Sequence, residues 1–316
     1  MKIFVSVLLL ICAAAAGLPA GDADVLAPGE SRVTLTGNFF NTTGSYNQDG
    51  KAVPDLSWRG LSAGGSFEYG IAPVLTIGLA WLPGYSAWSE FRSGPPTGDP
   101  TFNDPSDPVV GFKIPVIGPR GMFQLAELRV AAEPFIIVAL PETDWAVESE
   151  RMNAGKPYLV SKRERHVPAL GAKVHADWRF LERLFLYANL SYTFFFADDQ
   201  DPDYIGPQSL PVPTWFGADT NHRLEAGWDL LQDGDMLMTP GLAYELKYTA
   251  STRINGVNEL EKGYMQFFFI PYLDFTFPFK EPKLDLGMRL EAAVPVAGFS
   301  NFQTWIATAS FSVRLK

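Results

Sequence analysis

The feature that most constrains this chain is an apolar-to-polar alternation of period two. It starts near residue 30 and continues to the last residue, and no helical period of 3.6 is sustained anywhere along it. Such alternation puts successive side chains on opposite faces of a strand. The apolar faces mark about twelve strands: Val33–Phe39, Leu61–Tyr69, Leu75–Trp81, Val110–Val116, Leu128–Leu140, Leu170–Trp178, Leu184–Phe194, Leu224–Leu230, Met236–Leu246, Met265–Phe277, Leu284–Val294 and Trp305–Leu315. Most are longer than the roughly five or six residues usual in globular sheets and match the roughly 9 to 11 that cross a bilayer at a tilt.

The connections come in two lengths. Gly70 to Pro73, Ile117 to Gly121, Phe180 to Arg183, Gln232 to Asp235 and Phe279 to Lys283 are tight. Asn41 to Ser57, Pro83 to Pro108, Glu142 to Arg165, Ala197 to Asn221, Ala250 to Lys262 and Pro295 to Phe302 are longer, and the two kinds alternate from end to end. Hydrocarbon offers no water to an open sheet edge, so an antiparallel sheet in a membrane must close on itself. The expectation is therefore an all-β fold, a closed antiparallel transmembrane barrel of about twelve strands with short periplasmic turns, long extracellular loops and its first strand paired with its last. A secreted β-sandwich shares the alternation but requires neither such strand lengths nor the two-length rhythm. No fixed-period blade motif supports a propeller.

The amino end sets the compartment. Residues 1–20 read as a cleaved signal peptide, with Lys2, the apolar run Ile3 to Ile11, and the small residues Ala13 to Ala20; residues 21–316 are then the barrel domain. Pro19, Asp22 and Asp24 end the run before the length of a membrane helix, and the bulky Ile11 before Cys12 argues against lipidation there. The one cysteine thus leaves with the leader. Acids exceed bases by 35 to 25, which disfavours nucleic acid as a partner and leaves membrane lipid and a small-molecule solute. The expected location is the outer membrane of a diderm bacterium.

Charge sits opposite the apolar stripe. Lumen-lining candidates are Lys113, Glu127, Arg129, Glu133, Lys173, His175, Asp177, Arg223, Glu225, Asp229, Glu245, Lys247, Asp274, Asp285, Arg289, Glu291 and Arg314. A charge on the lipid face costs about 2 to 4 kcal/mol at mid-depth, so this sorting requires a water-lined or ion-paired interior. Both readings of the lumen, a selective pore or one filled by ion pairs, stand at this point. Aromatic residues near strand ends, Trp58, Tyr69, Trp81, Trp178, Phe180, Phe194 to Phe196, Phe275, Phe277, Phe279 and Trp305, suit the headgroup level. Five prolines, Pro115, Pro134, Pro168, Pro240 and Pro271, fall inside strands. Pro134 and Pro271 are the most central, as a bulge or as a kink through which an apolar ligand leaves sideways.

Other chemistry is weak. Asp198, Asp199, Asp201 and Asp203 lack the glycine and distal glutamate of a calcium loop, and Lys162, Arg163 and Arg165 read as a solvated basic spot. The histidines are His166, His175 and His222, with no nucleophile motif beside them, so an embedded hydrolase ranks last and no cofactor, metal or catalytic residue is expected. The alternative to transport is a structural or surface-interaction barrel whose loops, with Tyr85, Trp88, Phe91, Trp145 and Trp215, bind a partner.

Phe67-Glu68-Tyr69-Gly70-Ile71 followed by Leu75-Thr76-Ile77-Gly78-Leu79 resembles the hairpins of outer-membrane transporters of the meta-pathway phenol-degradation type. Val138-Ala139-Leu140-Pro141-Glu142-Thr143 is similar to that group's Leu-Pro-Thr-Gly strand end, with Glu142 interposed and the glycine absent. The resemblance implies a channel for a small solute, apolar or aromatic, with fatty-acid transporters and nucleoside channels as relatives in kind, and it transfers no binding residues. The ending Arg314-Leu315-Lys316 departs from the terminal Phe of many barrels, a departure that concerns recognition by the barrel-assembly machinery.

Overall fold

The computed structural model describes residues 22–54, 58–81, 88–91, 101–103, 107–118, 121–125, 127–140, 160–161, 167–196, 198–200, 212–233, 236–254, 256–258 and 263–316. The expected leader and most of the long extracellular loops, including Tyr85, Trp145, His166 and the Lys162 to Arg165 spot, lie outside the described residues.

Twelve strands form the wall: β1 Ser31–Tyr46, β2 Trp58–Ala72, β3 Leu75–Trp81, β4 Pro108–Ile117, β5 Leu128–Ile137, β6 Ala169–Arg179, β7 Leu184–Phe195, β8 Asp219–Trp228, β9 Met236–Thr249, β10 Tyr264–Phe279, β11 Leu284–Phe299 and β12 Asn301–Leu315. Each pairs antiparallel with its neighbour in the chain, and β1 pairs with β12 from Ser31–Leu315 to Tyr46–Asn301. The sheet is a closed barrel. Closure satisfies the backbone groups that an edge strand exposes to lipid.

Burial follows the alternation. Along β6, Leu170, Val174 and Trp178 face outward at 43 to 49% exposure while His175 is buried, and β8 alternates exposed Leu224 and Trp228 with Glu225 at 1%. The outward row is apolar because it meets lipid. Aromatic contacts border it: Trp178 with Phe180 on the periplasmic side, and Phe194 with Phe196 and Phe39 with Trp305 on the other. Phe195 departs from the expected girdle; it is buried and packs on Phe216, as alternation between outward Phe194 and Phe196 demands.

The expected long connection at Pro295 to Phe302 is absent. β11 and β12 continue to Phe299 and Asn301 and are joined by Ser300 alone, whose φ is 50°. The outward apolar stripe persists through Val294 and Val296, so the chain stays extended past the proline. Even so, the β11–β12 ladder stops at Ala293–Ile306, while β11 above that point pairs only with β10 and β12 only with β1. The wall therefore has a gap bounded by residues 294–299 and 301–305.

Pro134 and Pro271 have smaller effects. The β4–β5 ladder skips from Gly111–Phe135 to Ile114–Ala132, and the β10–β11 ladder from Phe269–Val294 to Tyr272–Glu291, each resuming at once. A missing N–H donor interrupts one stretch of ladder and opens nothing there. Beyond the wall, Asp198–Gln200, Val212–Trp215, Arg253–Ile254 and Val257–Asn258 form a small sheet of extracellular loop strands.

Candidate functional site

The lumen is filled by ion pairs tied to successive strands. Glu225 on β8 accepts hydrogen bonds from Arg223 Nε at 2.7 Å and from Arg289 Nη2 of β11 at 2.8 Å. Arg223 Nη2 also reaches Glu291 at 2.7 Å, and Arg289 Nε reaches Glu291 at 3.1 Å and, through Nη1, Asp274 at 3.5 Å. Glu245 receives Asn221 at 2.7 Å and lies 3.5 Å from Lys247. With Arg223 Nη1 also 3.9 Å from Glu245, two shared guanidiniums connect four carboxylates over β8 to β11. Charge-assisted hydrogen bonds of this length are the strong ones, and each remaining lone pair needs a partner once water is excluded.

Arg289 also stacks on Tyr272, 4.0 Å from the ring centroid. The ring lies flat over the neighbouring strand because Gly241 has no side chain; a Cβ there meets Tyr272 Cζ at 2.1 Å. Gly241→Ala is expected to push the ring off, disturb the Arg289 stack and lower stability by about 1 to 3 kcal/mol, typical of overpacking, as read from urea unfolding of the refolded barrel.

A second network faces the first. Glu68 on β2 takes Arg32 Nε at 2.6 Å and Lys113 Nζ at 2.9 Å. Glu133 takes Lys173 at 3.0 Å and His175 Nε2 at 2.8 Å, and Asn189 holds the other ring nitrogen of His175 at 3.0 Å.

Residues 22–30 close the lower lumen. Gly29 N donates to Gly70 O and Gly70 N to Glu30 O, both at 2.9 Å, an additional bridge to the end of β2. From there the segment crosses inside the barrel. Leu26 N donates to Thr76 Oγ1 and Ala23 N to Asp177 Oδ2, each at 2.9 Å. Leu26 is fully buried, and Ala23 and Val25 pack on Ala131. Asp24 pairs with Arg314 at 2.5 Å and Arg129 at 3.5 Å, Glu30 pairs with Arg314 at 2.8 Å, and Asp22 pairs with Arg32. Burial pushes the Asp22 carboxyl up, but Arg32 and Lys113 outweigh it and hold it below the ordinary carboxylate range. The Asp22 anchor is then present at neutral pH and weakens only as pH falls below about 3.9. A cavity of about 370 Å³ remains beside the segment, lined by Asp177, Tyr187, Asp229, Asp274, Arg289 and Arg314 among others.

The expected lining residues fall into place unevenly. Lys113, Glu133, Lys173, His175, Glu225, Glu245, Asp274, Arg289 and Glu291 belong to the networks above. Asp229 is buried and bonded to Arg179 and Thr239, at 2.7 and 2.8 Å. Arg129 is half-exposed at the lower mouth, and the Lys247 side chain is half-exposed above. Glu127 is the exception. It precedes β5, its side chain is exposed, and only its carbonyl is engaged, by Arg179 N. Arg32, Glu68, Asp22 and Asp24 were not among the expected lining. Arg32 and Glu68 alternate with Val33 and Phe67 and are legible on that basis; the two aspartates follow the leader and precede the alternation, so no periodic signal marks them.

His222 lies on the outward face between Leu190 and Leu246 of the flanking strands. Asp198 and Asp199 belong to an extended strand, while Asp201 and Asp203 lie outside the described residues. Among the described residues no three His, Cys, Asp or Glu side chains are grouped to hold a metal ion.

No family model and no curated protein matches the sequence. Solved structures do match. The COG4313 outer membrane channel from Pseudomonas putida F1 superposes with a TM-score of 0.65 at 11% identity, covering 95% of this chain and 100% of that one. A Pseudomonas aeruginosa FadL homologue gives 0.40 at 10%, covering 96% and 97%, and the NanC porin 0.42 at 8%, covering 90% and 99%. At such identities the likeness is one of fold, and with the closed ladder it makes this chain an outer-membrane-type β-barrel of twelve strands.

Proposed function

We propose that the barrel conducts a small apolar or aromatic solute between its upper lumen and the membrane, through the gap between β11 and β12. The observation that carries this reading is the contrast between the two exits. Downward, the lumen meets the ion-pair networks and the amino-terminal segment. Sideways, the wall lacks backbone pairs above Ala293–Ile306.

The gap is bridged by side chains. Gln266 Nε2 donates to Phe302 O at 2.7 Å, and Tyr46 Oη reaches Pro295 O at 3.5 Å. Both carbonyls lie on the unpaired stretch, where a side-chain donor substitutes for the missing ladder. Side chains rotate out of the way far more readily than a strand separates. Ten residues from Leu284 to Ala293 at about 3.3 Å each, tilted about 40°, rise about 25 Å, the height of the apolar band of such barrels. The gap therefore opens at the outer rim of the bilayer, with Val294 and Val296 still facing outward. The fold shared with an outer membrane channel supports a transport role; the solute class rests on this geometry and on the hairpin resemblance.

Locking the gap tests the reading. Val294→Cys with Trp305→Cys, the next positions in register, joined by a short thiol crosslinker, is expected to stop protein-dependent transfer of an aromatic tracer into vesicles while leaving ion conductance unchanged. Transfer that continues at the same rate in the locked protein overturns the lateral route.

A further inference from the structure

We infer that the barrel sits obliquely in the bilayer, with its β4–β5 turn sunk among the acyl chains of the inner leaflet and its β10–β11 turn, on the opposite side, held in the periplasm.

Residues 118–127 join β4 to β5 and form the longest of the five periplasmic connections. The turn is fastened to the wall. Met122 N donates to Val116 O at 3.1 Å and Gly118 N to Phe123 O at 2.6 Å, and Phe123 bridges Ile117 side by side, in parallel. Ile117 in turn pairs with Val130 of β5. Residues paired across a ladder share a face, and Val130 alternates with the fully buried Ala131, so Phe123 is on the face that meets lipid. Gln124 folds back, its Nε2 donating to Gly121 O at 3.1 Å. Its apolar neighbours are left outside: Met122, Phe123 and Leu125 are 78, 60 and 50% exposed. They continue the lipid-facing row of Phe112, Ile114 and Ile117, and the adjacent β2–β3 turn extends it with exposed Ile71 and Val74 and no charge. That continuity makes lipid the occupant of this surface.

Six strands round the barrel the pattern reverses. The apolar row of β10 stops on the strand at Phe279, and the turn that follows exposes Lys280, Glu281 and Lys283. On the near side charge returns only at Glu127 and, in the β6–β7 turn, at Glu182 and Arg183. Charge is costly in hydrocarbon and cheap at its border, whereas exposed apolar area behaves the opposite way. A membrane border perpendicular to the barrel axis satisfies only one of the two turns. A border that passes below Phe123 and above Lys280 satisfies both, and it tips the β10–β12 side toward the periplasm.

The gap between β11 and β12 is on the lowered side. Twelve strands about 4.8 Å apart and tilted about 40° make a barrel about 24 Å wide, so an axis about 15° off the normal lowers that side by about 6 Å. The gap then moves from the outer rim into the acyl chains of the outer leaflet. This consequence rests on the lateral route proposed above; the seating does not.

Single cysteines in a Cys12→Ser background, spin-labelled and reconstituted in phosphatidylcholine vesicles, read the seating. Oxygen collides with labels in hydrocarbon, and a nickel chelate present on both sides of the membrane collides with labels in water. The label at Phe123→Cys is expected to favour oxygen and the one at Lys280→Cys the chelate. Chelate contact at Phe123→Cys equal to that at Lys280→Cys overturns the proposal, and so does shielding from both probes, which indicates a protein partner or a second copy. Phe123→Asp with Leu125→Asp removes the anchor and is expected to raise chelate contact at Val296→Cys, beside the gap, at least threefold; an unchanged value there overturns the tilt. A raised value with aromatic transfer undiminished upholds the seating and counts against the lateral route instead. Should the aspartate variant fail to insert, the labels on the two turns of the otherwise unaltered barrel still decide.

Discussion

Replacing Glu225 by Gln is expected to destabilise the barrel by about 3 to 5 kcal/mol, the cost of breaking a buried ion pair from one side. Glu225 is 1% exposed and lies between Arg223 and Arg289 at 2.7 and 2.8 Å. Glutamine keeps the volume but removes the charge, leaving the two guanidiniums with Glu291, Asp274 and the more distant Glu245, 3.9 Å from Arg223. Because Arg289 belongs to β11 and Glu225 to β8, the pair is a chord across the lumen rather than a contact between adjacent strands. Equilibrium urea unfolding of the refolded protein, followed by tryptophan fluorescence, measures the loss. Glu245→Gln is the comparison. Its partner Lys247 is about half exposed, and that pair lies within one strand at 3.5 Å, so its loss alone is worth at most about 1 kcal/mol; the further weakening comes from the longer Arg223 contact at 3.9 Å. A smaller effect at Glu225 than at Glu245 contradicts the assignment of the first network as the lattice that spans the lumen.

Deleting residues 22–29 is expected to raise single-channel conductance several-fold while leaving the barrel folded. The deletion removes one backbone bond to the wall, from Gly29 N to Gly70 O, and keeps the one that Glu30 O accepts, whereas the twelve strand ladders do not depend on the segment. Arg32 and Lys113 keep Glu68 as a partner after the deletion, so no cation is stranded there. What disappears is the crossing of the lower lumen by Ala23 to Leu26 and the bridge from Arg129 and Arg314 to Asp24. The cavity beside the segment then joins the periplasmic mouth. Asp22→Asn with Asp24→Asn keeps the segment but removes two of its anchors, and is expected to show brief openings to the larger conductance in place of a steady one. Planar-bilayer recording distinguishes the three proteins. An unchanged conductance after deletion shows that the ion-pair networks alone set the constriction.

The barrel was legible because one rule, charge inward and apolar outward, holds along every strand, and a single period of two carries it. That rule places Glu133, Glu225 and Arg289 on the inner face without any knowledge of register. It does not say who pairs with whom. Glu225 meets Arg289 from three strands away, a contact fixed by barrel curvature and not by sequence distance. The amino-terminal plug was illegible for a different reason. Asp22 to Glu30 has no period, and its acids acquire meaning only when the closed wall brings Arg32, Arg129 and Arg314 around them. Pro295 shows a third limit. A proline followed by glycine and serine reads as a loop, yet lateral pairing with β10 on one side and β1 on the other keeps the chain extended while the ladder between β11 and β12 is lost. Glu127 failed by one residue, since the strand begins at Leu128.

On the proposed route the axial path is closed and the lateral one is used. Vesicles with a lipopolysaccharide outer leaflet, which slows apolar solutes, allow both to be read in one preparation. Influx of an aromatic tracer and of a sugar of similar size is followed with and without the refolded protein. The protein is expected to accelerate the aromatic tracer and to leave the sugar near its background rate; sugar influx accelerated as much as the tracer overturns the lateral route.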